Sequence, residues 1–595
     1  MSGKQKKTIK KGSFQRLLKI FFFQNKLLTF LMLFSIIVSA IATALGPQYL
    51  GYATDSVVQD MKSPVSGNIH WDRFFYWAAV SAVIFLIQFV SRWLSSWFST
   101  RIISDTAKEL RSQVESKLWT LPLNYFDTNS HGDIMSRTTN DIDNVVTTLN
   151  SSGADTIYSI FQLVGMLVMM VAINWQLALI TVVIIPVSGW VVTLISKFVR
   201  KEYKKQWYYT GMINGNVEES VNGHHIVKLY GQEERFLEKF RKQNQLLYES
   251  SFRAMAVSNL IQPLSRFFTN LNYVIVALGG AMKVISGQMT VGDVQAFIQY
   301  TRQFQTPFSK LSQAYSNLQS GIASLDRVYE LLDSENETAE KPDARESYHL
   351  KGKITFDDVS FSYVPEKKLI EHMKLTVEPG QMVAIVGGTG AGKTTLVNLI
   401  ERFYEVNSGR IVFDDQMEIH DLTRACLRKN IAMVLQDTWV YKGTIEENLK
   451  YGLKEAVTEE EFKNACRETF VDQFVSTLPE GYQTVISNEM SSLSAGEKQL
   501  LTICRAFLVK PNILILDEAT SSVDTRTEAM IDRALDKLRE GRTSFVIAHR
   551  LSTIKGADVI LVMKDGHIIE QGNHETLLAQ NGFYATLYNS QFDQG

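Results

Sequence analysis

The sequence predicts two fold classes in one chain: an all-α transmembrane domain of six spans with long cytosolic helix extensions, then an α/β P-loop domain with a helical subdomain. Three observations predict this. Long apolar stretches dominate before about Gln319 and charged, turn-rich sequence follows, so the near-zero mean hydropathy averages two unlike halves. Residues 387–394 read G-G-T-G-A-G-K-T, set between an apolar run at 382–386 that reads as a buried strand and a helix start at 395–400. A second apolar run, at 513–516, leads directly into Asp517 and Glu518. The expected domains are 1–330 in the membrane, a linker at 331–350 and a nucleotide-binding domain at 351–595.

In the first half, apolar segments long enough for a bilayer core of about 30 Å fall at 27–49, 74–98, 157–173, 177–198, 267–284 and 294–314. Lys4, Lys6, Lys7, Lys10 and Lys11 precede the first span and the loop at 55–72 is net acidic, which places the N-terminus in the cytosol. Residues 13–24 mix Arg16 and Lys19 with Leu17, Phe21 and Phe22, as an amphipathic helix on the inner surface would. The polar stretches 101–150 and 200–253 are then cytosolic and rich in helix formers, so they read as helices extended out of the membrane. The turn at Asn174 and Trp175 is external and very short, closing a helical hairpin.

Polar residues inside the spans carry the candidate substrate cavity. Gln299, Arg302 and Gln303 sit well inside the sixth span, and Asn270 and Asn272 in the fifth raise the same question. Either they line a polar, water-filled cavity or they make an internal pair or a partner-facing hydrogen bond. Phe297, Tyr300 and Phe304 suit amphipathic ligands, or simply pack.

In the second half, each P-loop residue type has a physical job. Gly387, Gly390 and Gly392 let backbone N–H groups close around phosphates, Lys393 reaches the β- and γ-phosphates, and Thr394 offers a hydroxyl to Mg²⁺, with Thr395 beside it. Asp517 and Glu518, at the end of a buried strand, suit metal holding and water activation. Cys426, Cys466 and Cys504 match neither zinc spacing nor a disulfide framework, and read as reduced structural thiols. A net charge of -1 argues against a broad nucleic-acid surface.

With these residues in order, the chain resembles the ATP-binding cassette family over its whole length. The marks are Tyr363, the P-loop, Gln436, the stretch Leu493-Ser494-Ala495-Gly496-Glu497, Asp517-Glu518, Asp524 and His549. Tyr125-Phe126-Asp127 and Gly132-Asp133-Ile134 resemble the first cytosolic loop of the exporter branch. The resemblance implies a half-transporter that dimerises in the bacterial cytoplasmic membrane, with ATP and Mg²⁺ as cofactors. It assigns Tyr363 to adenine, Lys393, Thr394 and Thr395 to phosphates, and Thr394, Gln436 and Asp517 to Mg²⁺, partly through water. Glu518 is the implied general base, His549 and Gln436 hold the attacking water, and Asp524 communicates across the dimer. Ser494 and Gly496 would face the γ-phosphate of ATP on the partner subunit.

Departures from the family pattern sharpen the expectation. Ala495 and Glu497 replace a glycine and a glutamine of the signature, 521–524 reads S-S-V-D, and 487–490 lacks the usual glycine-rich run, while Glu518 and His549 are intact. This resembles the consensus-site subunit of bacterial heterodimeric multidrug exporters, whose partner lacks the glutamate. The expected function is export of amphipathic drug-like compounds by a heterodimer, with closure passed through cytosolic loops near Phe126-Asp127 and 223–228. The alternative is a homodimeric lipid flippase or peptide exporter. An ATP-gated channel or regulatory membrane receptor is a third reading, which the intact Glu518 and His549 oppose.

Overall fold

A computed structural model describes residues 12, 15–16, 19, 21–22, 25–62, 70–364, 366–388, 390–436, 438–453, 456–487, 493–517, 524–548 and 551–592. The chain divides into two compact units, Met1–Trp119 with Ser130–Ser334, and Thr120–Asn129 with Glu335–Gly595. The amphipathic helix expected at 13–24 falls largely outside the described residues.

The first unit is built of long helices. Among the described residues five are long and apolar enough to cross a membrane: Lys26–Met61, Trp71–Leu118, His131–Ile173, Trp175–Asn222 and Glu233–Ile285. The stretch at 294–314 lies in the continuous helix Val291–Leu332, where Gln295, Gln299, Arg302, Gln303, Gln305 and Lys310 hold the apolarity below that of the other five. The expected cytosolic extensions are present, since Trp71–Leu118 and Trp175–Asn222 each run 48 residues, or about 72 Å at 1.5 Å per residue. Local chemistry fixes the hairpin ends. The Asn174 side chain accepts from the Leu177 N–H at 3.1 Å, and Thr290 and Asp293 form a capping box at the start of Val291–Leu332.

Packing here is by close backbone approach and by apolar interdigitation. A Cβ added at Gly292 would lie 2.1 Å from the Gly51 carbonyl oxygen, so only glycine lets these helices touch, and the Gly292 N–H donates to Asp55 at 2.7 Å. Met166, Met170, Val276, Ala296, Phe297 and Tyr300 make a buried cluster. Phe297 and Tyr300 are thus core residues and not ligand contacts: both are fully buried, and the Tyr300 hydroxyl donates to the Ala44 carbonyl. Phe75, Phe85, Phe89 and Trp93 on Trp71–Leu118 are exposed, as lipid-facing side chains are.

The second unit is a layered α/β domain. Its six-stranded sheet has the spatial order His567–Gly572, Val559–Lys564, Met382–Gly387, Thr543–Ile547, Ile513–Asp517, Ile431–Val434. All neighbours are parallel except the first pair. Near-continuous Val/Ile/Leu runs suit strands covered on both faces, and residues 513–516 are all buried. A four-stranded antiparallel sheet, Ile370–Val377, Ile354–Phe361, Ser408–Phe413, Met417–Glu418, packs beside it through Phe356, Phe413 and Phe545. A separate apolar cluster joins Phe462 and Val471 to Leu500, Leu501 and Ile503 of the helix Ala495–Val509, giving the helical subdomain. The short helix Leu123–Thr128, carrying Tyr125, Phe126 and Asp127, groups with this unit, and the Tyr404 hydroxyl donates to Asp127.

Candidate nucleotide site

Register builds the site. In the parallel sheet Ile385 pairs with Ile547, Ile547 with Asp517, and Leu516 with Val434, so four strands end along one edge. Loops leaving the carboxyl ends of parallel strands are where such sheets bind ligands. From these ends the chain proceeds, respectively, into the P-loop, Ala548, Glu518 and Gln436.

The P-loop takes the conformation its glycines allow. Gly390 has φ +81° and Gly392 φ +98°, in the left-handed region, and a Cβ at Gly387 would lie 2.3 Å from the Met563 carbonyl oxygen. Lys393 opens the helix Lys393–Ile400, and its Nζ donates to the Gly387 carbonyl at 2.8 Å and the Gly388 carbonyl at 3.1 Å. Burial pushes the Lys393 ammonium pKa down, and Asp517 partly offsets this. A cationic group folded over the loop in this way is available to a polyphosphate.

A cavity of about 480 Å³ gathers residues from separate stretches: Tyr363, Gly390, Gly392, Lys393, Thr394, Thr395, Gln436 and Asp517 all line it. Tyr363 is part-exposed, its hydroxyl lies 3.1 Å from Thr395 Oγ1, and its ring packs edge-on against Phe361 and Tyr404, each at 4.9 Å. The Thr394 hydroxyl, Gln436 amide and Asp517 carboxylate are hard oxygen donors on one cavity wall, a set that fits Mg²⁺. Glu518 and His549 lie outside the described residues, as do 521–523 and 488–490.

Ser494 and Gly496 do not line this cavity. Ser494 caps the helix Ala495–Val509, and Glu497 turns back onto it: one carboxylate oxygen accepts from Ser494 N–H at 2.7 Å and from Ser494 Oγ at 2.9 Å. The chain's own carboxylate therefore sits at an N-terminus that would otherwise favour an external anion. Asp524 caps Thr525–Arg539 by accepting from the Arg526 and Thr527 N–H groups, each at 3.1 Å, and those bonds hold its pKa down.

In the membrane unit the candidates are not brought together. Asn270 and Arg302 are exposed, Gln299 and Gln303 half-buried, and the Arg302 guanidinium lies 4.8 Å over the Tyr273 ring. Asn272 is buried with its Oδ1 unpartnered. Two features escaped the sequence reading. The Ser494-x-x-Glu497 spacing is itself a capping-box pattern, whereas Tyr404, joining Tyr363 to Asp127, carries no local signal.

A P-loop ATPase unit following a set of membrane-spanning helices defines a membrane transporter of half size. The chain belongs to the ABC transporter family: the model of the ABC transporter transmembrane region matches residues 29–308, and the ABC transporter model matches 370–521. It is 47% identical over 506 residues to a fatty acid ABC transporter ATP-binding/permease protein of Mycobacterium bovis, covering 85% of this chain and 80% of that protein. It is 39% identical over 584 residues to the uncharacterised ABC transporter ATP-binding protein YfiC of Bacillus subtilis, covering 98% and 95%. It is 34% identical over 509 residues to an ATP-dependent lipid A-core flippase of Thiobacillus denitrificans, covering 85% and 86%. The chain is thus a multi-pass cytoplasmic-membrane protein whose cytosolic ATPase unit binds ATP and couples its hydrolysis to transport, and a half-transporter of this kind dimerises.

Proposed function

We propose that the chain exports amphipathic, acyl-bearing compounds from the inner side of the membrane, with each ATP hydrolysed at a site shared between two subunits. The observation that carries the ATPase part is the single cavity that collects Tyr363, Lys393, Thr394, Gln436 and Asp517 from four stretches of chain. There Tyr363 stacks on adenine, Lys393 and the P-loop N–H groups hold phosphates, and Thr394, Gln436 and Asp517 hold Mg²⁺, which supplies charge neutralisation when bound. Glu518 accepts the proton of the attacking water, His549 holds that water in line, and Asp524 communicates with the partner. Support for the acyl substrate comes from the relatives, named a fatty acid transporter and a lipid A-core flippase.

A second reading is a heterodimer moving drug-like substrates, and one observation favours its heterodimer part: Glu497 occupies the helix N-terminus that a partner's γ-phosphate would use. In that arrangement Ser494 and Gly496 face the partner's weaker site. The test of the catalytic assignment is Glu518→Gln in the reconstituted full-length transporter. ATP binding persists and turnover falls at least about 100-fold, the loss expected of a general base; undiminished hydrolysis would remove Glu518 from that role.

A further inference from the structure

The hairpin of helices Ile261–Ile285 and Val291–Leu332 has one-sided charge. The first helix contains Arg266 and Lys283 and no Asp or Glu; the second contains Arg302 and Lys310 and no acid between Asp293 and Asp326. Two of these cations are answered elsewhere. Lys310 pairs with Asp155 at 3.0 Å, and Lys283 donates to Gln288 at 2.7 Å. Arg302 rests on the Tyr273 ring. Among the described residues, no carboxylate pairs with Arg266.

Arg266 instead borders an open cavity of about 510 Å³, which Asn259, Gln262, Ser265, Gln305 and Ser309 also line. Its wall therefore holds one cation, neutral hydroxyls and amides, the apolar Ile261, and no acid. Its depth is set by the helices. Arg266 lies about 28 Å along the axis from Ile285, and Ser309 about 27 Å from Val291, at 1.5 Å per residue. Against a hydrocarbon core of about 30 Å, and with the second helix leading on to the cytosolic ATPase unit, both sit at the level of the inner-leaflet headgroups. From there Phe267, Leu271, Val274 and Leu278, all exposed, form a stripe at helical spacing up the same helix, about 17 Å long.

We propose that this cavity receives the anionic headgroup, carboxylate or phosphate, of an acyl amphiphile drawn from the inner leaflet, with the tail laid along the Phe267–Leu278 stripe. The inference rests on the reading of the chain as an exporter of acyl compounds and names the charge its substrate carries. An unpaired guanidinium beside low-dielectric surface attracts an anion strongly and matches either headgroup through two parallel hydrogen bonds. Hydroxyl and amide donors around it satisfy the remaining lone pairs. A neutral amphiphile gains the stripe but not the guanidinium.

The experiment measures binding of oleate, oleyl phosphate and oleyl alcohol to the full-length transporter in nanodiscs. Arg266→Gln weakens oleate and oleyl phosphate about tenfold, the scale of one charge-assisted contact, and leaves oleyl alcohol unchanged. Arg266→Lys keeps anion binding within about threefold of wild type, since the charge remains but the paired geometry does not. Ser309→Asp places a carboxylate in the cavity and lowers anion binding at least tenfold at pH 7.5, again sparing the alcohol, by like-charge repulsion. Loss for one anion alone assigns the headgroup. Equal anion binding in wild type, Arg266→Gln and Ser309→Asp, or wild-type affinity for the alcohol matching that for oleate, overturns the cavity. Failure of wild type to bind any of the three probes overturns the acyl-exporter reading itself.

Discussion

The two units hold their function in opposite ways. In the ATPase unit a parallel sheet delivers its strand ends to one edge, so residues as far apart in sequence as Tyr363 and Asp517 line one cavity. In the membrane unit, Asn270, Gln299, Arg302 and Gln303 are spread along two long helices, some exposed and some half-buried. Phosphate chemistry demands fixed donors at fixed places, whereas recognition of an amphipathic ligand needs only a graded polar and apolar surface. The first leaves short motifs in the sequence and the second does not.

The largest expected effect tests that contrast directly. Lys393→Ala removes the cation that the P-loop presents, and ATPase activity falls at least about 100-fold, with nucleotide binding weakened in parallel. Gln299→Ala or Gln303→Ala changes transport by no more than about fivefold, because one neutral contact among many is worth about 0.5–1 kcal/mol. A glutamine substitution as damaging as Lys393→Ala, measured by transport into inverted vesicles, would break the comparison and make the membrane site as localised as the catalytic one.

The same contrast explains what was legible in the sequence. Five of the expected spans and both cytosolic extensions follow from apolar runs and helix formers, which are local properties. The P-loop conformation follows from glycines whose positive φ few other residues tolerate. Phe297 and Tyr300 were ambiguous because burial between helices and exposure to a ligand demand the same side chains. Only the partners, Ala44 for the Tyr300 hydroxyl and the Met166 cluster for Phe297, decide it. Tyr404 and Asp127 meet across 277 positions, a pairing no local pattern encodes.

Glu401 offers a smaller effect that separates stability from chemistry. It follows the P-loop helix, its side chain is buried with Oε2 unpartnered, and burial raises its carboxyl pKa from 4.5 to about 7, with Arg428 partly offsetting. Because the folded-state pKa is raised, the stability linked to the bound proton is full below about pH 4.5 and is lost as pH rises through about 7. Glu401→Gln stays neutral at every pH. The variant should match wild type at pH 5 and be more stable at pH 8 by about 2–3 kcal/mol, read as resistance of the ATPase unit to proteolysis. A pH-independent difference would assign Glu401 to packing alone.

The smallest expected effect concerns Glu497, whose carboxylate accepts from Ser494 at a helix N-terminus that would otherwise offer its donors to an anion. Glutamine can accept the same two hydrogen bonds from Ser494, since a capping box works with either residue, so Glu497→Gln changes helix stability by only a few tenths of a kcal/mol. What it removes is a negative charge from the N-terminus of Ala495–Val509, where charge interacts with the helix by about 0.3–1 kcal/mol. If that end faces the ATP hydrolysed with Glu518, as in a homodimer, relief of the repulsion raises turnover about two- to fivefold at low ionic strength and less at high salt. If it faces a partner's weaker site, steady-state turnover of the complex stays within experimental scatter while ATP retention at that second site lengthens. The ionic-strength dependence of kcat in Glu497→Gln therefore decides whether the altered signature belongs to the catalytic half of the dimer or to the other.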